Sequence, residues 1–232
     1  MPWIHDRDKF PPSKRGESVS IEGGDVMVIN EDYVLVGCSE RTSQHAVHSL
    51  RDVLFEKGVV KNVVQINIPQ DRSYMHIDTI FTQISNNHIV AYKPIIVDGM
   101  SSNVEVHKIN GTSRYYSTGK EFFLNEINPK MEFILSGNGE SPYQEREQWT
   151  DGCNLVALKP GVGLTYDRNT KTGEAFQAAG YQLVPALELL EKIKTGKIKP
   201  SEVENTIITL PSNELSRARG GSHCMTCPIE RS

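Results

Sequence analysis

Two short β-rich runs, a helix and a third β-rich run follow one another in that order three times along the chain, a rhythm that few folds accept. DVMVIN and YVLVGC, residues 25–30 and 33–38, are separated by turn residues and predict a hairpin. A helix follows, capped by Thr42 or Ser43, with Ala46, Val47, Leu50, Val53 and Leu54 along one face and Gly58 just past its end. VVQINI is then the strand that completes the unit.

The order returns twice. IDTIFTQI and HIVAYKPI form a hairpin around SNN, a weaker helix runs through GKEFFLNEI, and MEFILSG is a strand. NLVALK and VGLTYD flank the turn PG, Asn169 or Thr170 opens a helix through EAFQAAG, Gly180 stops it, and YQLVP supplies the closing strand. Three such units predict an α/β repeat architecture in which each unit packs on its neighbour. Set around an axis, three units leave unpaired edges of the kind soluble proteins cover, so the ring is expected to be incomplete and to associate. Residues 185–205 read as an extra helix with Leu187, Leu190 and Ile193 on one face and lysines opposite. It is either a solvated surface helix or a partner-binding one.

Composition narrows the function classes. With 232 residues, 38% of them hydrophobic and 23% charged, the chain can bury a sizeable core. A net charge of −4 with mixed signs gives no broad footprint for nucleic acid, and RARGG is too short for an RGG-type tract. No apolar run approaches the ~20 residues of a membrane span, and MPWIHDRDKFPPSKRG lacks the apolar centre of a signal peptide. The cytoplasm is therefore the expected address. Four cysteines, at 38, 153, 224 and 227, are too sparse for a disulfide framework, and reduced thiols are expected.

Several short motifs hold residues with chemistry to offer. IEGGDV sets Glu22 and Asp25 around two glycines. MHIDT sets His76 and Asp78 two residues apart, which on a strand would bring both side chains to one face, although for a lone H-x-D a satisfied structural histidine is the more ordinary reading. SERTS places Arg41 in a loop, where a guanidinium can clamp a carboxylate or simply face solvent. His45 and His48 stand three apart on the first helix, too few ligands for a metal site. In the tail GGSHCMTC, the C-x-x-C spacing admits zinc or redox chemistry, but no second ligand pair appears and Pro228 follows the second cysteine. A nucleophilic cysteine fits the neighbouring Arg219 and His223, because cations lower a thiol pKa and only the thiolate attacks.

Taken together, IEGGD, SERTS, MHIDT, REQWTDGCN, PGVGLTYDRN and RARGGSHCMTCPI stand in the order and approximate spacing found in the arginine deiminases, and the chain resembles that family over nearly all of residues 17–232. The resemblance implies the fold of the guanidino-group modifying enzymes, a pentein-type α/β propeller of five ββαβ blades, about three of which this chain would hold. It implies a single, incomplete catalytic domain over residues 1–232, with 1–20 as a lead-in and the blades of 21–232 ending in the nucleophile loop.

The implied activity is hydrolysis of L-arginine to L-citrulline and ammonia through a covalent amidino-cysteine, with no metal or organic cofactor. Cys224 matches the nucleophile, His76 the acid and base, and Glu22 the carboxylate that orients the histidine. Asp78 matches a carboxylate that grips the guanidinium, Arg41 a residue on the substrate α-carboxylate, Asn154 one that contacts the amino-acid end, and Arg219 a mobile gate residue. Asp25, the other acid of the EGGD motif, is expected to be structural or to support the residues that do chemistry, and Cys227, which has no assigned role, to be structural. The family's N-terminal half, with its second guanidinium-binding aspartate, has no counterpart here, and Arg7–Asp8 lies too close to the EGGD motif to replace it. The expected partners are therefore L-arginine and either a second copy or a missing N-terminal half. Other readings remain open at this point: amidino transfer, hydrolysis of another guanidino compound such as agmatine, or an inactive fragment that binds a partner.

Overall fold

The computed structural model describes residues 19–212 and 220–227. From the start of the described chain the elements are strand β1 (Val26–Asn30), β2 (Tyr33–Cys38), helix α1 (Gln44–Glu56) and β3 (Asn62–Asn67). Then come β4 (Phe81–Gln83), β5 (His88–Ala91), α2 (Lys93–Ile96), β6 (Asn103–Lys108), β7 (Ser113–Tyr116), α3 (Gly119–Phe122) and β8 (Glu132–Leu135). The remainder is α4 (Tyr143–Trp149), β9 (Val156–Lys159), β10 (Val162–Tyr166), α5 (Thr170–Ala178), β11 (Gln182–Pro185), α6 (Ala186–Lys194) and β12 (Thr206–Leu210). Packing divides these into two compact units, one running to Ile77 and including Asp98–Phe122, the other made of Asp78–Val97 and the chain from Phe123 onward.

The first unit is a five-stranded sheet in the order β1-β2-β3-β6-β7. β1 runs antiparallel to β2, and β2 parallel to β3, with α1 as the crossover between them. This is the predicted hairpin, helix and strand. Ser43 caps α1 by accepting the Ala46 N–H at 3.4 Å, and Gly58 ends it at φ 62°. Val47 packs with Val34, Val36, Val60 and Val63, and Leu50, Leu54 and Phe55 close over them. At about 1.5–3 kcal/mol for each large aliphatic side chain fully buried, that contact holds the helix on the sheet. The hairpin of β6 and β7, antiparallel to each other and joined to the sheet along β3, is an addition to the predicted unit. Its signals, the alternation NVEVHK and the Asn110–Gly111 turn, lie in plain view in the sequence.

The second unit holds two sheets, β4-β5-β8 and β11-β12-β10-β9. β4 and β5 are antiparallel and β5 and β8 parallel, as the second predicted repeat requires, although GKEFFLNEI divides into the single turn α3 and a π-helical turn at Phe123–Ile127.

The third repeat differs from expectation. YQLVP does form β11, but the parallel neighbour of β10 is β12, from the run TIITL, which lies between β10 and β11. Thr206, Ile207 and Ile208 are buried and β-branched, as an interior parallel strand demands. β11 ends in Pro185, which lacks an N–H and is tolerated at an edge. The stretch 185–205 is therefore the crossover from β11 to β12. α6 faces inward through Leu189, with Ala186 and Ile193 against Val162, Val203 and Ile208, while Leu187 and Leu190 are 74% and 45% exposed. Of the expected apolar face only Ile193 lies on the true stripe, which is offset from that face by less than a quarter turn, so that Leu187 and Leu190 flank it. No helix among the described residues is long and apolar enough to cross a membrane.

Candidate active site

In the first unit the sequence motifs converge around Glu22. This residue precedes a single 3-10 turn at Gly23–Asp25, and its backbone N–H donates to Thr42 Oγ1 at 3.2 Å. Its Oε2 lies 2.6 Å from His76 Nε2. A carboxylate oxygen only accepts, so Nε2 carries the proton. Arg41 Nη1 stands 3.9 Å from Glu22 Oε1, with both side chains substantially exposed.

Asp25 lies beneath this group, fully buried. Its Oδ2 accepts from the hydroxyls of Ser39 and Thr42, both at 2.7 Å, and its Oδ1 accepts the Ile77 N–H at 2.9 Å. Burial pushes the Asp25 carboxyl up from the ordinary carboxylate range against the pull of these three donors. Asp25 thereby pins the peptide that follows His76, and Gly37 is what admits it, since a Cβ there would lie 2.5 Å from Asp25 Oδ1.

His76 and Asp78 are not on a strand. Asp78 lies in a 3-10 turn, Ile77–Thr79, and His76 in the bend before it, so the expected geometry of alternate strand positions does not apply. His76 turns to Glu22 and Asp78 to the cysteine loop.

In the second unit Asp78 is 1% exposed. Its Oδ2 lies 3.1 Å from His223 Nδ1 and 3.7 Å from Cys224 Sγ. The cysteine sits in a turn, with Met225 N–H donating to Gly221 O and Thr226 N–H to His223 O. Ser222 Oγ ties this turn to Leu164 O at 2.7 Å and Asn154 O at 3.1 Å, and Tyr166 Oη donates to Gly220 O at 3.0 Å. Asn154 is enclosed, with no exposed surface. Its Oδ1 accepts the N–H groups of His223 and Cys224 at 3.1 and 3.3 Å, and its Nδ2 donates to Asp78 O at 3.2 Å. Arg219 lies outside the described residues.

The expectation that nearby cations depress the Cys224 thiol is reversed. Burial, and after it the charge of Asp78, push this thiol up to about 11, outweighing hydrogen bonds from Gly221 and Asn154. The buried Cys153 is pushed up further, to about 12, by burial. All four cysteines are free thiols, and Cys224 and Cys227 are both exposed as residues, the Cys224 sulfur being partly enclosed where it faces Asp78. Among the described residues no group of three or more His, Cys, Asp or Glu side chains is arranged to hold a metal ion. His48 of the H-x-x-H pair instead meets the ring of His107 edge-on at 5.8 Å.

One supporting residue escaped the sequence reading. Glu147, fully buried in α4, accepts the N–H groups of Lys171 and Thr172 at 3.0 and 2.7 Å at the start of α5, while its carbonyl accepts the Gly152 N–H at 2.7 Å. It braces the loop leading to Asn154. An acid inside REQWTDGCN carries no sequence signal that separates this role from a solvated one.

Comparisons with known proteins agree with the motifs. The family model for arginine deiminase matches residues 5–231. An arginine deiminase of Listeria monocytogenes is 35% identical over 224 residues, covering 94% of this chain and 49% of its own length. The chain thus spans about half the length of the curated relatives it matches. Among solved structures, an amidinotransferase of the saxitoxin biosynthetic pathway from Microseira wollei aligns with TM-score 0.54 and 13% identity, over 92% of this chain and 46% of that one. Inosamine-phosphate amidinotransferase from Streptomyces griseus aligns with TM-score 0.50 and 12% identity, over 93% and 48%. At such identities these two speak for the fold, which is the α/β fold expected from the ββαβ rhythm.

Proposed function

The chain belongs to the arginine deiminase family, and from that premise we propose that it carries the catalytic cysteine of an arginine deiminase, hydrolysing L-arginine to L-citrulline and ammonia. The observation that carries the reading is the surround of Cys224. A buried carboxylate, Asp78, stands 3.7 Å from its sulfur, and the backbone N–H groups of His223 and Cys224 are both taken by Asn154. In acyl transfer, N–H groups beside a nucleophile serve to stabilise an oxyanion. Here they are occupied and the neighbouring charge is negative, so the site suits a carbon that belongs to a cation. A guanidinium is such a group.

In this reading Asp78 binds the guanidinium, neutralising its charge and aiming Cζ at Sγ. Arrival of the cation also offsets the main effects that hold the thiol protonated, desolvation and then the Asp78 charge, so ionisation accompanies binding. The thiolate adds to Cζ, the bond from Cζ to one terminal nitrogen breaks, and that nitrogen leaves as ammonia with a proton from His76. Water, giving a proton to His76, adds to the remaining thiouronium carbon. The C–S bond then breaks as the added hydroxyl gives its proton to solvent, releasing citrulline and the thiolate. Glu22 orients His76 and balances its charge. Arg41 receives the substrate α-carboxylate, Arg219 acts as the gate residue, and the residues form one catalytic domain completed by a second copy or a further half.

The runner-up is amidino transfer, the activity in the names of the two structural neighbours. An acid-quenched reaction separates the two on the Cys224 peptide by mass. A deiminase leaves the whole arginine skeleton, less ammonia, on sulfur; a transferase leaves only the amidino group. The second product, or no adduct, would overturn the deiminase reading.

A further inference from the structure

The family resemblance gives Asn154 a place against the substrate's amino-acid end, yet its side chain is enclosed and its amide turned toward the chain's own backbone. We propose that Asn154 is a positioning residue, a clamp that fixes the nucleophile turn to the Asp78 peptide and acts on the reaction through Cys224 without touching substrate.

Three hydrogen bonds support this. Oδ1 accepts two successive N–H groups, His223 and Cys224, at 3.1 and 3.3 Å. Two accepted bonds use both lone pairs of an amide oxygen. Nδ2 donates to the Asp78 carbonyl at 3.2 Å, so one planar group joins the backbone that carries the sulfur to the backbone that carries the anion beside it. The Asp78–Cys224 spacing of 3.7 Å is therefore set through Asn154, and displacements of about 1 Å in such a spacing can cost about 100-fold in rate.

The sequence is built around the same contact from the opposite side. Gly221 approaches Asn154 so closely that a Cβ at this position would collide with Asn154 Oδ1, Cγ and Cβ. The GG of GGSHC thus admits the clamp at its second glycine, in addition to any freedom it gives the loop. Asn154 is itself set by Asp151, whose carbonyl accepts the Asn154 N–H at 3.0 Å and whose φ of 65° turns the chain sharply.

The inference deepens the arginine deiminase reading and rests on it for the substrate, so its test has one readout that needs no turnover. Hydrogen exchange at residues 220–227, together with kcat and KM on L-arginine, is measured for the full chain and for Asn154→Ala, Asn154→Asp and Gly221→Ala. The Asp variant keeps an acceptor oxygen and should hold exchange near the parent rate. The Ala variant should exchange at the His223 and Cys224 amides at least tenfold faster, with β9 and β10 unchanged, and lose at least tenfold in kcat with KM within about threefold. If Asn154→Ala does not fold, Gly221→Ala displaces the same amide and carries the test.

Unchanged exchange would overturn the clamp. Faster exchange with a raised KM and an intact kcat would also overturn it, by restoring a substrate contact. A parent chain silent on arginine would sink the substrate reading alone, leaving exchange to uphold or reject the clamp.

Discussion

Glu22 Oε2 lies 2.6 Å from His76 Nε2, an exposed carboxylate holding a largely buried imidazole in one orientation and one tautomer. Replacing Glu22 by Gln allows the amide to present either an oxygen or an NH₂ to the ring and removes the charge that balances a protonated imidazole. Turnover of L-arginine should fall by about 100-fold, the scale of general acid–base assistance, with KM little changed. His76→Ala should fall further, and a Glu22→Gln variant at parental kcat would remove Glu22 from the chemistry.

Cys224 offers a pH-dependent test with its sign fixed by its surroundings. Burial and the Asp78 charge push the thiol up to about 11, so at pH 8 only about a thousandth is ionised. Carbamidomethylation of Cys224 in the free protein, followed by mass on its peptide, should rise about tenfold per pH unit through pH 7–10. Asp78→Asn removes the larger of the two charges that push the thiol up, so alkylation at pH 8 should quicken several-fold even as arginine turnover is lost. Slower alkylation in that variant would contradict the electrostatic origin of the shift.

Asp25 is expected to act on stability. Asp25→Ala strands the buried Ile77 N–H and two hydroxyls, a loss of about 1–3 kcal/mol for the N–H alone, visible as a lowered denaturation midpoint. Its raised carboxyl pKa also sets the direction of a pH effect. The folded state holds this proton more tightly than the unfolded one, so that contribution is present below the unfolded value near 3.8 and is lost as pH rises through the folded value. The Asp25→Asn protein, which cannot titrate there, should show a flatter pH dependence across that window.

Arg41 lies 3.9 Å from Glu22 and well exposed, a geometry that leaves its guanidinium able to turn to a carboxylate. Arg41→Ala should raise KM for L-arginine at least tenfold, in keeping with loss of a charge-assisted pair, while changing KM for agmatine, which lacks the carboxylate, by less than about twofold. Equal effects on both would move Arg41 from the α-carboxylate to the histidine pair.

Much of this was legible in the sequence, and where it was not the reasons are physical. The periodicities at 26–38 and 44–54 and the cap at Ser43 gave β1, β2 and α1 because local pattern and tertiary burial agree there. The third repeat misled because β11 and β12 are both short apolar runs, and only tertiary context tells which is central. His76 and Asp78 were picked out as a pair, but the 3-10 turn that sends them to different partners has no signature in MHIDT. The direction of the Cys224 shift was misjudged because neighbours in sequence, such as His223, are visible there, whereas a carboxylate 146 residues away and burial are not. Asn154 was identified from its motif, while its enclosure, and so the clamp, emerged only in three dimensions.

Release of citrulline and ammonia from L-arginine by this chain, beside its Cys224→Ala variant, tests the central claim most directly. Turnover by the parent chain that vanishes in the variant is the predicted result. Citrulline formed equally by Cys224→Ala, or none formed by the parent chain either alone or with the N-terminal half of an arginine deiminase added, would contradict it.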